Sequence, residues 1–161
     1  MEGSDFVTDL ALRECHLPRL SPPTVVVGIT GEGKTRGMAT VVEIECTINQ
    51  HLAFIKPKDG AANAAYIRNL FLPLYDFLRR ESSGGGSTKG AITCEQLANL
   101  KIPCPPVHEQ TEIVDRIDRE SSQTDTLLTK VERSLDLLRE HRSALISAAV
   151  TGKIDVRGEV A

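Results

Sequence analysis

The strongest constraint on this chain is a stretch of 42 residues, from Glu109 to Val150, that contains neither proline nor glycine. A proline cluster at positions 103–106 precedes the stretch, and Gly152 follows it as a C-terminal stop signal. At about 1.5 Å per residue, a continuous helix here would be roughly 60 Å long. Such a helix is longer than a small domain is wide, so we expect it to need other helices as neighbours.

The apolar side chains of this predicted helix recur at alternating intervals of three and four residues, as in the seam of a coiled coil. Ser121, Thr124 and Arg142 interrupt the seam, which favours a bundle with register-setting polar positions over an uninterrupted rod. We predict that a sister chain or a different protein covers the seam, and a helix packed on its own domain is the alternative. The predicted interface residues are Val114, Ile117, Leu128, Val131, Leu135, Leu138 and Leu145.

Length and composition narrow the class of protein. The chain has 161 residues, a net charge of −3 and a pI of about 5.8, which argues against a free-standing nucleic-acid binder that relies on bulk charge. Its four cysteines are widely spaced, so the pattern indicates no metal site. The sequence shows no signal peptide and no run long enough to span a bilayer, which predicts a cytoplasmic protein with free, mostly buried thiols.

The part before the long helix predicts a small α+β domain. Three β-rich runs, Val25–Ile29, Met38–Cys46 and Leu52–Ile55, are typical of a short antiparallel meander. A helical pattern follows from Asn63 to Arg80, and we expect Pro73 to kink it or to end its first half. The predicted architecture is a mixed α/β domain over residues 1–104 and one long coiled-coil helix in residues 105–161.

A phosphate-binding loop pattern, G-x-x-x-x-G-K-[ST], is satisfied by the segment from Gly28 to Thr35. That motif works because a helix starts at its lysine and directs N-terminal amides at the phosphates. Here the residues after Lys34 are rich in glycine and β-branched side chains, and the later run Leu52–Ile55 does not end in an aspartate suited to magnesium. We therefore interpret the segment as a basic turn between two strands, with a nucleotide-binding protein as an alternative.

Two further segments resemble a known family, the specificity subunits of type I restriction-modification systems. The segment Ile102–Gln110 is similar to an "IPxPPxxEQ" element that closes a recognition domain and opens a long helix in that family. The segment Ala149–Ile154, with the sequence AVTGKI, resembles the element that closes the subunit. Residues 45–51 and the Gly-Ser-Thr loop before Ala91 also resemble the recognition domains, which vary more.

The resemblance implies a division of labour. The recognition domain would read double-stranded DNA from the major groove, and the long helix would act as a spacer and bind the methyltransferase (modification) subunit. S-adenosylmethionine would belong to that methyltransferase subunit, so no cofactor is expected here, and a restriction and motor subunit would complete the enzyme. The chain itself would not be a catalyst and would have no membrane partner.

This chain departs from the family pattern, in which two recognition domains and two long helices follow in tandem. It holds the latter part of one recognition domain and one long helix. We therefore expect two copies to pair through the helix, because closed twofold association would restore the missing symmetry. A coiled-coil protein with no nucleic-acid function is the alternative of a different class.

Base reading needs polar groups at base edges, and backbone binding needs cations or hydroxyls at phosphates. The amides of Asn49 and Gln50 suit adenine, and the guanidinium of Arg36 suits guanine. A turn cap at Asn49 and a solvated helix end at the arginine pair are the structural alternatives. The predicted DNA-binding residues are Lys34, Thr35, Arg36, Asn49, Gln50, His51, Arg79, Arg80, Ser87, Thr88 and Lys89.

Overall fold

The protein is described from a computed structural model that covers residues 6–83, 90–155 and 158. The chain divides into two compact units, Met1–Asp115 and Arg116–Ala161. The elements are α1 (Asp9–Glu14), β1 (Thr24–Gly28), β2 (Ala39–Val42), β3 (Leu52–Ile55), α2 (Ala64–Glu81), α3 (Cys94–Ala98) and α4 (Val107–Val150).

The three strands form one antiparallel sheet in the order β2-β1-β3. The predicted meander is therefore wrong in its strand order, since a meander would place β2 at the centre. All five residues of β1 are buried, and Val26 faces Thr40 on one side and Phe54 on the other. A continuous run of β-branched residues is suited to a central strand that is covered on both faces, which is the position that β1 takes.

Helix α2 packs against this sheet and forms the core of the first unit. The core cluster contains Val25 and Val27 of β1 together with Ile67, Phe71 and Leu78 of α2. Asn63 caps the helix, because its side-chain oxygen accepts hydrogen bonds from the backbone amides of residues 65 and 66. The sheet and α2 thus make a two-layer unit with one shared apolar interface.

Pro73 does not end the helix, since α2 continues from Ala64 to Glu81 with Pro73 inside it. A proline in a helix interior costs about 3 kcal/mol. Phe71 and Leu78, on either side of Pro73, are both buried in the same core. We infer that burial of two large side chains on this face outweighs the lost backbone hydrogen bond.

The start of α4 is fixed to the first unit by one buried amide side chain. Gln110 is fully buried, and its Oε1 accepts a hydrogen bond of 2.8 Å from the backbone amide of Asn63. Its Nε2 donates to the carbonyl oxygens of Pro105 at 2.7 Å and Ala61 at 3.1 Å. Nearby, the Tyr66 hydroxyl donates to the carbonyl of Pro103 at 3.2 Å. The proline segment is thereby tied to α2 at two points.

The remainder of α4 belongs to the second unit, and the helix runs unbroken for 44 residues to Val150. This confirms the long helix predicted from the absence of proline and glycine. It ends with Gly152 in a left-handed conformation, at φ 70°, where the amide of Lys153 bonds to the carbonyl of Ala148. A glycine stop signal is what the sequence predicted at this position.

The four cysteines are free thiols, as predicted, but the expectation that they are mostly buried is wrong. Cys15, Cys94 and Cys104 are exposed, and Cys46 is partly buried. Within the described residues, no helix is long and apolar enough to cross a bilayer. No group of three or more His, Cys, Asp or Glu side chains in that same part of the chain is placed to hold a metal ion.

We predict that Gln110→Leu lowers the free energy of unfolding of the chain by about 3 kcal/mol. The substitution leaves one backbone amide and two backbone carbonyls, all at partly buried hydrogen bonds, without this partner. An unsatisfied buried group costs about 1–3 kcal/mol. Urea unfolding followed by circular dichroism measures the change. Glu112→Ala, at an exposed position in the same turns of α4, is the control and should change stability by less than about 0.5 kcal/mol. Equal stability of both variants would contradict the role given to Gln110.

Candidate functional site

The β1–β2 loop, residues 29–38, is at the centre of the candidate site. It contains no helix, and its base is closed by hydrogen bonds between Gly28 and both Gly37 and Met38. A Cβ atom on Gly28 would collide with the carbonyl of Thr35, and Gly31 and Gly37 have φ angles of 112° and 89°. Gly28 and Gly31 of the apparent phosphate-binding motif, and Gly37 just after it, are therefore needed to let the loop turn and pass close to its own strand.

Helix α2 holds this loop through the loop's backbone carbonyls. The Arg79 guanidinium donates to the carbonyls of Gly33 at 2.6 Å, Glu32 at 3.2 Å and Arg36 at 3.3 Å. The Tyr75 hydroxyl donates to the carbonyl of Lys34 at 2.9 Å. A phosphate-binding loop instead directs its amides at the ligand from the start of a helix, so the geometry disfavours nucleotide binding here.

A second loop, the turn of residues 49–51 before β3, meets the β1–β2 loop. The backbone amide of Ile29 donates to the carbonyl of His51 at 3.0 Å, and the Thr30 hydroxyl lies 2.8 Å from His51 Nδ1. Asn49 Oδ1 accepts from the backbone amide of His51 at 3.0 Å, and Gln50 Nε2 lies 3.4 Å from His51 Nε2. Asn49 therefore caps the turn, as the structural alternative predicted, and its NH₂ group has no hydrogen-bond partner among the described residues of this turn.

Five predicted site residues lie at exposed positions on these two loops. They carry one ammonium, one hydroxyl, two amides and one imidazole, which are donors and acceptors of the kind that contact bases and phosphates. These exposed residues are Lys34, Thr35, Asn49, Gln50 and His51.

Arg36 and Arg79 are not available in the way that base reading requires. Arg36 is only 6% exposed, and its Nη2 donates to the Ser83 hydroxyl at 3.2 Å. Arg79 is committed to loop carbonyls and stacks on Tyr75, with the guanidinium carbon 5.3 Å from the ring centroid. The prediction that the Arg36 fork is presented to guanine is therefore wrong, because that side chain is inside the fold. Arg80 is exposed.

Three predicted residues, Ser87, Thr88 and Lys89, lie outside the described residues. Their predicted role stays a prediction. Ser82 and Ser83, which follow α2 directly, cap its C-terminal end. Their hydroxyls donate to the carbonyl of Arg79, at 3.1 Å and 2.7 Å.

The predicted interface of α4 separates into one buried residue and an exposed set. Val114 is 8% exposed and lies in the first unit, so in the structure it is a core residue rather than a surface residue. We call the six remaining residues, which are 37–64% exposed, the α4 stripe. The α4 stripe consists of Ile117, Leu128, Val131, Leu135, Leu138 and Leu145.

Charged residues lie beside this stripe and form local pairs. Arg116 bonds to Glu120 at 2.8 Å and Arg139 to Asp136 at 3.0 Å. The hydrogen bond and charge of Glu120 raise the pKa of Arg116. Such exposed pairs add little to stability, so the helix is held mainly by its backbone and by whatever covers the α4 stripe.

Three residues that shape the site were missed by the sequence predictions. Thr30 positions His51, Tyr75 holds the loop at Lys34, and Ser83 bonds to Arg36. Tyr75 and Arg79 are four residues apart on a helix, a spacing that places two side chains on one face, and this signal would have identified the pair. No local signal connects Ser83 with a residue 47 positions away.

Comparison with known proteins gives one consistent family. Residues 4–136 match the family described as type I restriction modification DNA specificity domain. The specificity subunit of the type I restriction enzyme EcoBI from Escherichia coli is 25% identical over 134 residues, which are 83% of this chain and 27% of that protein. The putative MjaX specificity subunit of Methanocaldococcus jannaschii is 27% identical over 124 residues, which are 75% of this chain and 27% of that protein.

A solved structure shows the same fold. One chain from work on complex assembly and conformational transition of the type I R-M system matches with a TM-score of 0.60 and 24% identity, over 81% of this chain and 31% of that chain. The present chain thus spans about a quarter to a third of the length of these relatives.

We predict that Gly28→Ala destabilises the chain by about 2 kcal/mol or more, because the added methyl group forces backbone away from backbone at the base of the β1–β2 loop. Gly33→Ala, in the same motif, is the matched control, since its Cβ would meet nothing within 4 Å. Thermal unfolding compares the two variants. A similar loss in both would show that the close approach at Gly28 does not determine the loop.

Proposed function

Because this chain belongs to the family of type I restriction modification DNA specificity domains, we propose that it supplies DNA sequence specificity to a type I restriction-modification enzyme. The chain would read one half of a split DNA target and would bind a methyltransferase subunit. Methyl transfer, with S-adenosylmethionine, would take place on that partner subunit, and DNA cleavage on a restriction and motor subunit.

The observation that carries the DNA-reading proposal is the meeting of the two exposed loops at Ile29, Thr30 and His51. Asn49 and Gln50 lie at exposed positions on one of these loops and Lys34 at an exposed position on the other, and we propose that all three contact the same stretch of DNA. Paired amide donors and acceptors match the major-groove edge of adenine, and a lysine ammonium matches a guanine edge or a phosphate. Base contacts would then set sequence, and cationic contacts would set register.

The α4 stripe supports the proposed assembly. Six large apolar side chains, none of them less than 37% exposed, lie on one helix at coiled-coil spacing. Burial of a leucine is worth about 1.5–3 kcal/mol, so a stripe of this kind gains free energy when a partner covers it. We propose that a second copy and the methyltransferase subunit share this helix, as closed twofold symmetry would allow.

The alternative of a coiled-coil protein without nucleic-acid function makes a different prediction. It would assemble through the α4 stripe and would not bind DNA even with the methyltransferase present. Family membership favours the specificity role over this alternative.

We predict that the purified chain forms a dimer that takes up a co-expressed type I methyltransferase subunit, and that Leu135→Asp weakens this assembly by roughly 30-fold or more. Burial of an unpaired carboxylate costs about 2 kcal/mol or more. Multi-angle light scattering over a dilution series measures both associations. Ser143→Asp, which adds the same charge at an exposed position outside the α4 stripe, is the control. A monomer that ignores the methyltransferase would contradict the proposed assembly.

In the assembled complex, we predict that Lys34→Gln weakens DNA binding for all sequences alike and lowers the slope of log K against log salt by about 1. Gln50→Ala should instead change the preferred base at one position, at a cost of about 1–3 kcal/mol for the original target. Lys58→Gln, at an exposed position in the β3–α2 loop, serves as control. Unchanged affinity, slope and base preference would remove both loops from the DNA interface.

A further inference from the structure

An open cleft of 660 Å³ lies at the C-terminal end of α2, beside the β1–β2 loop. Arg36, Asp76, Arg79, Arg80 and Ser83 line it. Three guanidinium groups and one carboxylate therefore surround the cleft. Within the described part of the chain, none of the three arginines takes part in an ion pair.

The most unusual of these side chains is Arg36. It is 94% buried by surface area, since only 6% is exposed, and its Nε has no hydrogen-bond partner among the described residues. Its Nη2 bonds to Ser83, and a Cβ on Gly90 would collide with the guanidinium. A charged group removed from water is costly unless a counter-charge or hydrogen bonds compensate it. Among the described residues, only the neutral Ser83 hydroxyl accepts a hydrogen bond from the Arg36 guanidinium.

Charge around the cleft favours an anion as the missing partner. The C-terminal end of α2 carries partial negative charge, which by itself disfavours an anion. At that end, however, the Ser82 and Ser83 hydroxyls donate hydrogen bonds to the carbonyl of Arg79. Arg80 is exposed, and its guanidinium forms no ion pair or hydrogen bond with the described residues, so it can turn toward a ligand at the cleft. Two or more guanidinium groups arranged around one point are suited to the several oxygens of a phosphate group.

We propose that this cleft binds a phosphate group, with Arg36 and Arg80 as the charged ligands and with Ser83 positioning the Arg36 guanidinium through its hydrogen bond. The phosphate could come from the DNA backbone or from free phosphate, and the DNA source rests on the function proposed above. In this role Arg36 fixes the position of a backbone phosphate and does not read a base.

The first arm of the test uses the full chain alone, with inorganic phosphate as the probe. Thermal unfolding is measured in phosphate and in chloride at equal ionic strength, because ligand binding to the folded state raises Tm. We expect phosphate to raise Tm by about 3 °C more in the wild-type chain than in Arg80→Gln and Ser83→Ala. Arg133→Gln, at an exposed position on α4, should keep the wild-type response and so accounts for general effects of phosphate.

Arg36→Gln should lose the response too, and Arg80→Gln keeps the test decisive if Arg36→Gln fails to fold. An equal phosphate response in all variants would overturn the proposed site.

The second arm measures DNA binding by the complex with a methyltransferase subunit. A salt slope lowered by about 1 in Arg80→Gln identifies the DNA backbone as the source, and an unchanged slope together with a phosphate response identifies free phosphate. A phosphate response without DNA binding of any sequence would reject the proposed function and keep the site.

Discussion

The structure of the first unit depends on the buried amide of Gln110. A fully buried glutamine bonds to one backbone amide and two carbonyls, so loss of its side chain removes three hydrogen bonds at once. Through it the cap of α2, the loop before that cap and the proline segment share one set of hydrogen bonds with the start of α4. The Ile102–Gln110 element therefore has a physical explanation: its prolines extend the chain, and its glutamine fastens the extended chain to the domain.

At the candidate site, the polar side chains near the β1–β2 loop have separate roles. Arg79 and Tyr75 shape the loop, Thr30 joins it to the turn at His51, and Lys34 is left exposed. Arg36 differs from all of these, because it is buried next to a hydroxyl and forms no ion pair with a carboxylate of the described residues. The side chains that shape the loop thus differ from those proposed to contact DNA or a phosphate.

Much of this was predictable from local sequence. The boundaries of β3 and the extent of α4 follow from short patterns whose physical cause is local. The strand order was not predictable, because antiparallel pairing depends on contacts between distant segments and adjacent strands need not be neighbours. The burial of Arg36 and Val114 was missed for the same reason, since a residue's position in a heptad or a basic turn does not reveal which distant elements cover it. The DNA-binding residues and the dimer stay predictions.

The hydrogen bonds between α2 and the β1–β2 loop have a consequence for how the loop sequence can change. Arg79 and Tyr75 donate hydrogen bonds to the main-chain oxygens of residues 32, 33, 34 and 36, and these bonds involve no loop side chain. Every amino acid carries the same main-chain oxygen, so these hydrogen bonds do not depend on which amino acids occupy positions 32 and 34. Substitutions at these two positions can therefore change the side chains that the loop exposes while its backbone path is kept.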